Sequence, residues 1–138
     1  MKQKKYKYML DTNILIYAKN ENPEVAKSKF DKHNGKDICI SAITQAELEY
    51  GVSRSSFVEE NRQAMIEFLS VIPVISFDDM DARHYGDIRA HLEKKGIVIG
   101  GNDMLIAAHA RSKGLILVTN NTREFCRVPG LKVEDWSK

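Results

Sequence analysis

The stretch Tyr8-Met9-Leu10-Asp11-Thr12-Asn13 decides the fold class. Three apolar residues lead directly into a carboxylate and two small polar residues, a pattern typical of a short buried strand that ends at a polar edge. Two more buried strands are predicted at Ile38–Ile40 and Leu115–Val118, and the second of these leads into Thr119-Asn120-Asn121. Polar side chains therefore follow two of the predicted strands.

Helices alternate with these strands. Ser41 and Asp78 are candidate N-caps, and a strand within Val71–Phe77 is expected to lie at a sheet edge or to begin after Pro73. The alternation predicts an α/β fold with a short parallel sheet flanked by helices, whose functional edge lies at the carboxyl ends of the strands. The predicted helices are Asn13–Lys19, Pro23–His33, Ser41 to a stop at Gly51, Glu59–Leu69, Asp78–Lys95 stopped by Gly96, and Asn102–Lys113 closed by Gly114.

Composition indicates one globular domain over residues 1–138, with residues 1–7 as a basic leader. The chain is 43% hydrophobic and 29% charged, and its formal net charge is +2. No apolar run approaches the ~20 residues of a membrane span, and no signal-peptide pattern follows the leader, so a cytoplasmic location is expected. The two cysteines, Cys39 and Cys126, have neither disulfide-framework nor zinc spacing.

Three acidic residues occupy positions that the apolar pattern assigns to buried faces or element ends: Asp11, Glu47 and Asp103. A buried carboxylate is costly unless a partner neutralises it, so the three together predict a site for Mg²⁺, which prefers oxygen ligands. Such an ion polarises phosphoryl oxygens and suits a polyanionic substrate held by a basic rim. Glu47 and Asp103 each belong to a set of residues with the spacing of one helix face. The two sets are Ile43-Ala46-Glu47-Tyr50 and Asp103-Ile106-Ala107-Ala110.

Five neighbouring residues are candidates for supporting roles. Asn121 could contribute a neutral oxygen ligand, and Glu124 a fourth carboxylate if a helix begins in that segment. Thr12 and Thr119 adjoin ligand positions, where a hydroxyl orients a carboxylate or a phosphate. Asn13 either does the same or caps the helix that follows.

The chain contains four short motifs: Leu10-Asp11-Thr12-Asn13, Ser41-x-x-Thr44-x-x-Glu47-Leu48-x-x-Gly51, Asn102-Asp103-x-x-Ile106-Ala107-Ala108-His109-Ala110 and Val118-Thr119-x-Asn121-x-x-Glu124-Phe125. In this order they resemble the PIN domain, and most closely the VapC toxins of VapBC toxin–antitoxin pairs. The resemblance covers nearly the whole chain and implies a Mg²⁺- or Mn²⁺-dependent endoribonuclease, usually a homodimer, that a cognate VapB antitoxin inhibits. It makes tRNA the leading substrate class, in particular the anticodon stem-loop of initiator tRNA.

Carried over by position, the resemblance implies that Asp11, Glu47 and Asp103 are the acidic metal ligands. Asn121 stands where many members of the family have Asp, a departure that puts a tightly bound second metal ion in question.

Other interpretations of these residues stay open at this point. Glu47 could pair with a basic side chain, Asp103 could complement a helix dipole, and Asp11 could cap a helix. A catalytically weak module that binds only RNA or a partner protein is the alternative function. An Asp-x-Asp phosphatase is disfavoured because position 13 is Asn. The four histidines lack zinc spacing and are expected to be surface or lightly buried residues.

Overall fold

The structure is a computed structural model that describes residues 6–20, Ser28 and residues 37–137. Within these residues five strands form one parallel sheet in the order β3-β2-β1-β4-β5, which confirms the predicted α/β architecture. The strands are β1 (Tyr8–Leu10), β2 (Ile38–Ser41), β3 (Val74–Ile75), β4 (Ile116–Val118) and β5 (Val133–Glu134).

Helices connect the strands as expected. The described helices are α1 (Thr12–Asn20), α2 (Ala42–Ser53), α3 (Val58–Phe68), α4 (Asp79–Lys95), α5 (Gly101–Ser112) and α6 (Thr122–Phe125). The helix predicted at Pro23–His33 falls, apart from Ser28, outside the described residues, as does most of the basic leader. Both stay predictions. No helix in the described ranges is long and apolar enough to cross a membrane.

Strand β1 lies at the centre of the sheet because it pairs on both sides. Leu10 lies opposite Val118 of β4, and the backbone N–H of Asp11 donates to the Val118 carbonyl at 3.0 Å. Residues 8–10 are buried, and apolar side chains pack on both faces of the sheet. The register therefore brings Asp11 and Thr119, which follow β1 and β4, to the same edge.

The predicted helix caps are present. The Ser41 Oγ accepts a hydrogen bond from the Ile43 N–H at 3.0 Å, which caps α2. Asp78 caps α4 through a capping box with Asp81, and α4 ends at Gly96 in the left-handed conformation with φ of 67°.

The prediction was wrong for the end of one helix and missed one strand. Helix α2 continues through Gly51 to Ser53, because Gly51 does not adopt the left-handed conformation that would end it. Strand β3 has only two residues and begins after Pro73, at the sheet edge as expected. Strand β5 was not predicted, because two residues carry no recognisable periodicity.

Candidate metal centre

Asp11 ends the central strand and is almost completely buried, at 1% exposure. Its Oδ1 accepts the Ile14 N–H at 2.8 Å, and its Oδ2 lies 3.4 Å from the Asn13 Nδ2 donor. Burial raises the pKa of Asp11 to about 6, although hydrogen bonds from the Thr119 side chain and the Ile14 backbone oppose the rise. The chain therefore buries a carboxylate and restrains it with neutral donors only.

Glu47 is held at both carboxylate oxygens by neutral side chains from two other helices. The Thr12 Oγ1 in α1 donates to Oε1 at 2.5 Å, and the Asn102 Nδ2 in α5 donates to Oε2 at 3.3 Å. Thr12 was predicted to orient a carboxylate, whereas Asn102 was not predicted as a site residue. The available signal for Asn102 was its place directly before Asp103, in the first turn of a helix.

Asp103 lies in the first turn of α5 and is partly buried. Its pKa is raised to about 6, first by burial and then by the negative charges of Glu47 and Glu124. Asp103 in turn contributes to the raised pKa of Asp11. The four carboxylates therefore share one electrostatic region, and we call this group, Asp11, Glu47, Asp103 and Glu124, the acidic edge.

The segment after β4 forms the helix on which the prediction for Glu124 depended. Helix α6 begins at Thr122, with Asn121 at its N-cap position. The Asn121 backbone N–H donates to the Thr119 Oγ1 at 2.9 Å, and the Asn121 Nδ2 lies 3.4 Å from the Glu124 Oε2. Asn121 and Glu124 are thus positioned together, next to the ends of β1 and β4.

Within the described ranges, no Lys, Arg or His forms an ion pair with a member of the acidic edge. The interpretation of Glu47 as a partner of a basic residue is therefore not supported in this part of the chain. The donor set consists of carboxylate, amide and hydroxyl oxygens, which fits a hard cation such as Mg²⁺ or Mn²⁺.

The carboxylates of the acidic edge interact electrostatically, but they are not arranged as ligands around a common point. No group of three or more His, Cys, Asp or Glu side chains in the described residues is arranged so that it could hold a metal ion. A ligand role for Asp11, Glu47 and Asp103 accordingly stays a prediction.

The prediction that Glu47 lies on a buried stripe is wrong. Ala46 is exposed and Tyr50 is 68% exposed, and the buried residues of α2 are Thr44 and Val52 instead. The stripe lines a groove of about 820 Å³ beside the acidic edge. Helical periodicity identifies a common face, but it does not say whether that face meets the core or an open groove. Polar residues that line the groove are Thr12, Asn13, Glu47, Arg54, Asn61, Asn102 and Asp103.

The expectation for the histidines fails at one position. His109 has no exposed surface, because α5 packs its second half against the sheet and α4. Phe125 and Trp136 are buried packing residues, and Cys39 is a buried free thiol.

Comparison with known proteins agrees with this arrangement. Residues 8–131 match the PIN domain family. The chain therefore belongs to the PIN domain family, whose nucleases generally depend on a divalent metal ion.

The relatives narrow the assignment to the VapC branch of that family. A relative in Haemophilus influenzae, Ribonuclease VapC2, is 49% identical over 130 residues that cover 94% of this chain and 98% of the relative. A tRNA(fMet)-specific endonuclease VapC of Shigella flexneri is 48% identical over 131 residues, which cover 95% of this chain and 98% of the relative.

Solved structures give the same result. The DNA-bound VapBC of Salmonella typhimurium matches with a TM-score of 0.90 at 44% identity, over 95% of this chain and 98% of the solved chain. The VapBC2 of Rickettsia felis, bound to a promoter DNA fragment, matches with a TM-score of 0.88 at 44% identity, over 94% and 98% of the two chains.

Proposed function

We propose that this chain is a metal-dependent endoribonuclease that hydrolyses RNA and leaves a 5′-phosphate and a 3′-hydroxyl. The observation that carries the proposal is the acidic edge, which gathers four carboxylates beside an open groove without a basic partner in the described residues. A cluster of mutually repelling acids is costly to a fold, and perturbed acids of this kind gather at functional sites.

Asp11, Glu47 and Asp103 are the proposed direct ligands of Mg²⁺, with Mn²⁺ as a substitute. Glu124 is the proposed fourth carboxylate and Asn121 a neutral oxygen donor, since the two contact each other beside the strand ends. When bound, the ion supplies Lewis-acid polarisation of a phosphoryl oxygen and lowers the pKa of a bound water.

The remaining site residues restrain the ligands. Thr12 and Asn102 hold both oxygens of Glu47, so its carboxylate has little freedom to swing into the groove. Thr119 and the Ile14 N–H hold Asp11 in the same way, and Asn13 assists from the start of α1. Because all these donors are neutral, they orient the carboxylates without cancelling the charge that attracts the cation.

The groove beside the acidic edge is the proposed RNA site. Its polar lining includes Arg54, which can meet a phosphate, and Asn61, which can donate to phosphate or sugar oxygens. Two relatives, at 48% and 44% identity, are named tRNA(fMet)-specific endonucleases. We therefore take tRNA as the substrate class and the anticodon stem-loop of initiator tRNA as the first target to test.

We also propose that this chain is a toxin and that it acts in the cytoplasm. The solved structures that this chain resembles are VapBC complexes, so the proposed partner is a cognate VapB antitoxin, with a second copy of this chain completing a homodimer. Large apolar side chains stand exposed on α1, α2 and α3, namely Ile16, Tyr50 and Ile66. Protein partners commonly cover surfaces of this kind.

Cleavage of purified tRNA tests the proposal. The chain is incubated with total tRNA in Mg²⁺ or in EDTA, alongside Asp11→Asn and the surface control Glu93→Gln. We expect discrete fragments from a few tRNAs, lost in EDTA and reduced at least ~100-fold by Asp11→Asn, since a ligand should matter more than an outer-shell residue. Glu93→Gln should cleave normally.

Intact tRNA in every lane, with a folded wild-type chain, would contradict the proposal. Tight tRNA binding without Mg²⁺-dependent turnover would favour the binding-module alternative instead.

A further inference from the structure

A second polar group lies inside the molecule, away from the groove. Ser41, Asp81 and His109 each have 0% exposure and come from three elements, the end of β2, helix α4 and helix α5. We call these three residues the buried polar cluster. None of them lines the groove, so none can touch RNA there. Although the cluster contains Ser, His and Asp, its hydroxyl is inaccessible to a substrate, and a hydrolase triad is excluded.

The hydrogen bonds assign a neutral imidazole to His109. Its Nε2 makes no hydrogen bond among the described residues but faces an acceptor, the Asp81 Oδ2 at 3.4 Å, so the proton is assigned to Nε2. Its Nδ1 lies 2.7 Å from the Ser41 Oγ. The Ser41 oxygen already accepts the Ile43 N–H, and its buried hydroxyl needs an acceptor, which Nδ1 provides.

Burial is the main reason that the neutral form of His109 is favoured. Burial lowers the pKa of His109, and the charge of Lys113 lowers it further, while the carboxylates of Asp81 and Asp78 and the Ser76 carbonyl act in the opposite direction. The Phe77 ring packs edge-on against the imidazole, with the ring centroids 5.3 Å apart. The acceptor at Nδ1 is therefore retained at neutral pH.

The contact between Ser41 and His109 joins the two helices that carry opposite members of the acidic edge. Ser41 caps α2, and Glu47 lies six residues further along that helix. His109 lies in α5, six residues after Asp103. Both helices are short and stiff over this distance, so a shift at the cap of α2 is transmitted to Glu47.

We propose that His109 is a positioning residue, whose hydrogen bond to Ser41 sets the separation of Glu47 and Asp103 for the divalent cation. The inference rests on the proposed function. It adds a residue that has no contact with the cation or the RNA and acts only through the placement of α2 relative to α5.

Two substitutions of His109 separate this role from simple packing. In His109→Asn the amide oxygen takes the place of Nδ1 and keeps an acceptor for Ser41, whereas the contact with Asp81 is lost. In His109→Gln the amide nitrogen takes the place of Nε2 and the acceptor for Ser41 is lost. Both variants should unfold at a lower temperature than the wild type, because both disturb a buried site.

The deciding measurement is the Mn²⁺ dissociation constant of the free protein, by calorimetry in the absence of RNA. His109→Gln should bind Mn²⁺ about 10-fold more weakly, in the range of outer-shell substitutions, and His109→Asn should stay within about 2-fold of the wild type. Equal dissociation constants for His109→Gln and the wild type, or equal losses in the two variants, would overturn the inference.

Ser41→Gly breaks the same hydrogen bond from the other side and carries the test if His109→Gln does not fold. Gly at an N-cap costs helix stability only a few tenths of a kcal/mol relative to Ser. Ser41→Gly should weaken Mn²⁺ binding by the same factor, and unchanged binding would overturn the inference. A wild-type chain that binds no Mn²⁺ would instead contradict the proposed function, and the inference with it.

Discussion

The acidic edge and the buried polar cluster lie toward opposite ends of α5, and they differ in whether the chain supplies a partner for their charges. At the start of the helix, the acidic edge contains carboxylates that neutral donors orient, and the pKa values of Asp11 and Asp103 are raised to about 6. Toward the end of the helix, the buried polar cluster adjoins Lys113, which approaches Asp81 at 3.4 Å and forms an ion pair with Asp78. The hydrogen bond from Lys113 lowers the pKa of Asp78 to about 2.

This difference separates structural polar groups from functional ones in this molecule. The buried polar cluster takes its partners from the chain itself: Lys113 pairs with Asp81 and Ser41 contacts His109, although the Asp81 Oδ1 and the His109 Nε2 make no hydrogen bond. The acidic edge has no basic partner among the described residues. Under the proposed function, the molecule gives up stability at the first end of α5 in return for affinity toward a cation.

The largest expected effect is a loss of stability on substitution in the buried polar cluster. Asp81→Ala should lower the free energy of unfolding by about 3 kcal/mol, because it removes a buried carboxylate that serves His109, Lys113 and the Asp78 backbone N–H. Urea denaturation measures this loss. The control is Asp79→Ala in the same helical turn, where the exposed side chain should matter by less than ~0.5 kcal/mol. Similar losses in both variants would contradict the comparison.

In the acidic edge, Glu124→Gln should weaken Mn²⁺ binding and leave the fold intact. We expect a Mn²⁺ dissociation constant about 10-fold higher, equivalent to ~1.4 kcal/mol, and a parallel loss of Mg²⁺-dependent cleavage. Calorimetry and the tRNA assay measure the two quantities, with Glu93→Gln as the matched surface change. Unchanged Mg²⁺-dependent activity would remove Glu124 from the site.

Removing one charge from the acidic edge should stabilise the metal-free protein. Asp103→Asn should raise the free energy of unfolding in EDTA at pH 7.5 by about 1 kcal/mol, a value reduced from the full pKa shift because the side chain is partly exposed. The melting temperature should rise by about 3–6 °C, while cleavage is lost. A lower melting temperature would show that Asp103 is balanced by the chain itself.

The smallest expected effect is the pH dependence of the stability that Asp103→Asn gains. Because the pKa of Asp103 is raised from 3.8 to about 6, folding takes up a proton between these pH values, and the contribution of the carboxyl to stability falls as pH rises. The advantage of Asp103→Asn should therefore be greatest at pH 7.5, about half as large at pH 5, and absent below the ordinary pKa. Thermal melts of both proteins in EDTA at each pH measure it. An advantage independent of pH would contradict the assignment.

Much of the fold could be predicted from the sequence because it depends on local patterns. The apolar runs before Asp11 and Thr119 predicted the central strands, and Asp78 and Gly96 predicted both ends of α4. Strand β5 was not readable, since Val133–Glu134 becomes a strand only through its pairing with β4. The end of α2 was predicted wrongly at Gly51, because glycine ends a helix only where a left-handed turn is needed.

The candidate site, too, was predictable from the sequence in some features and not in others. The sequence by itself determined which charged residues lie at the ends of elements or on one face of a helix, because connectivity and helical period are local: Asp11, Glu47, Asp103 and Glu124 were all identifiable. Only the tertiary structure decided that Ala46 and Tyr50 line a groove, that Asn102 reaches Glu47, and that His109 is buried against Ser41. These contacts join residues 55 to 68 positions apart, and no local pattern encodes which faces of distant helices will meet.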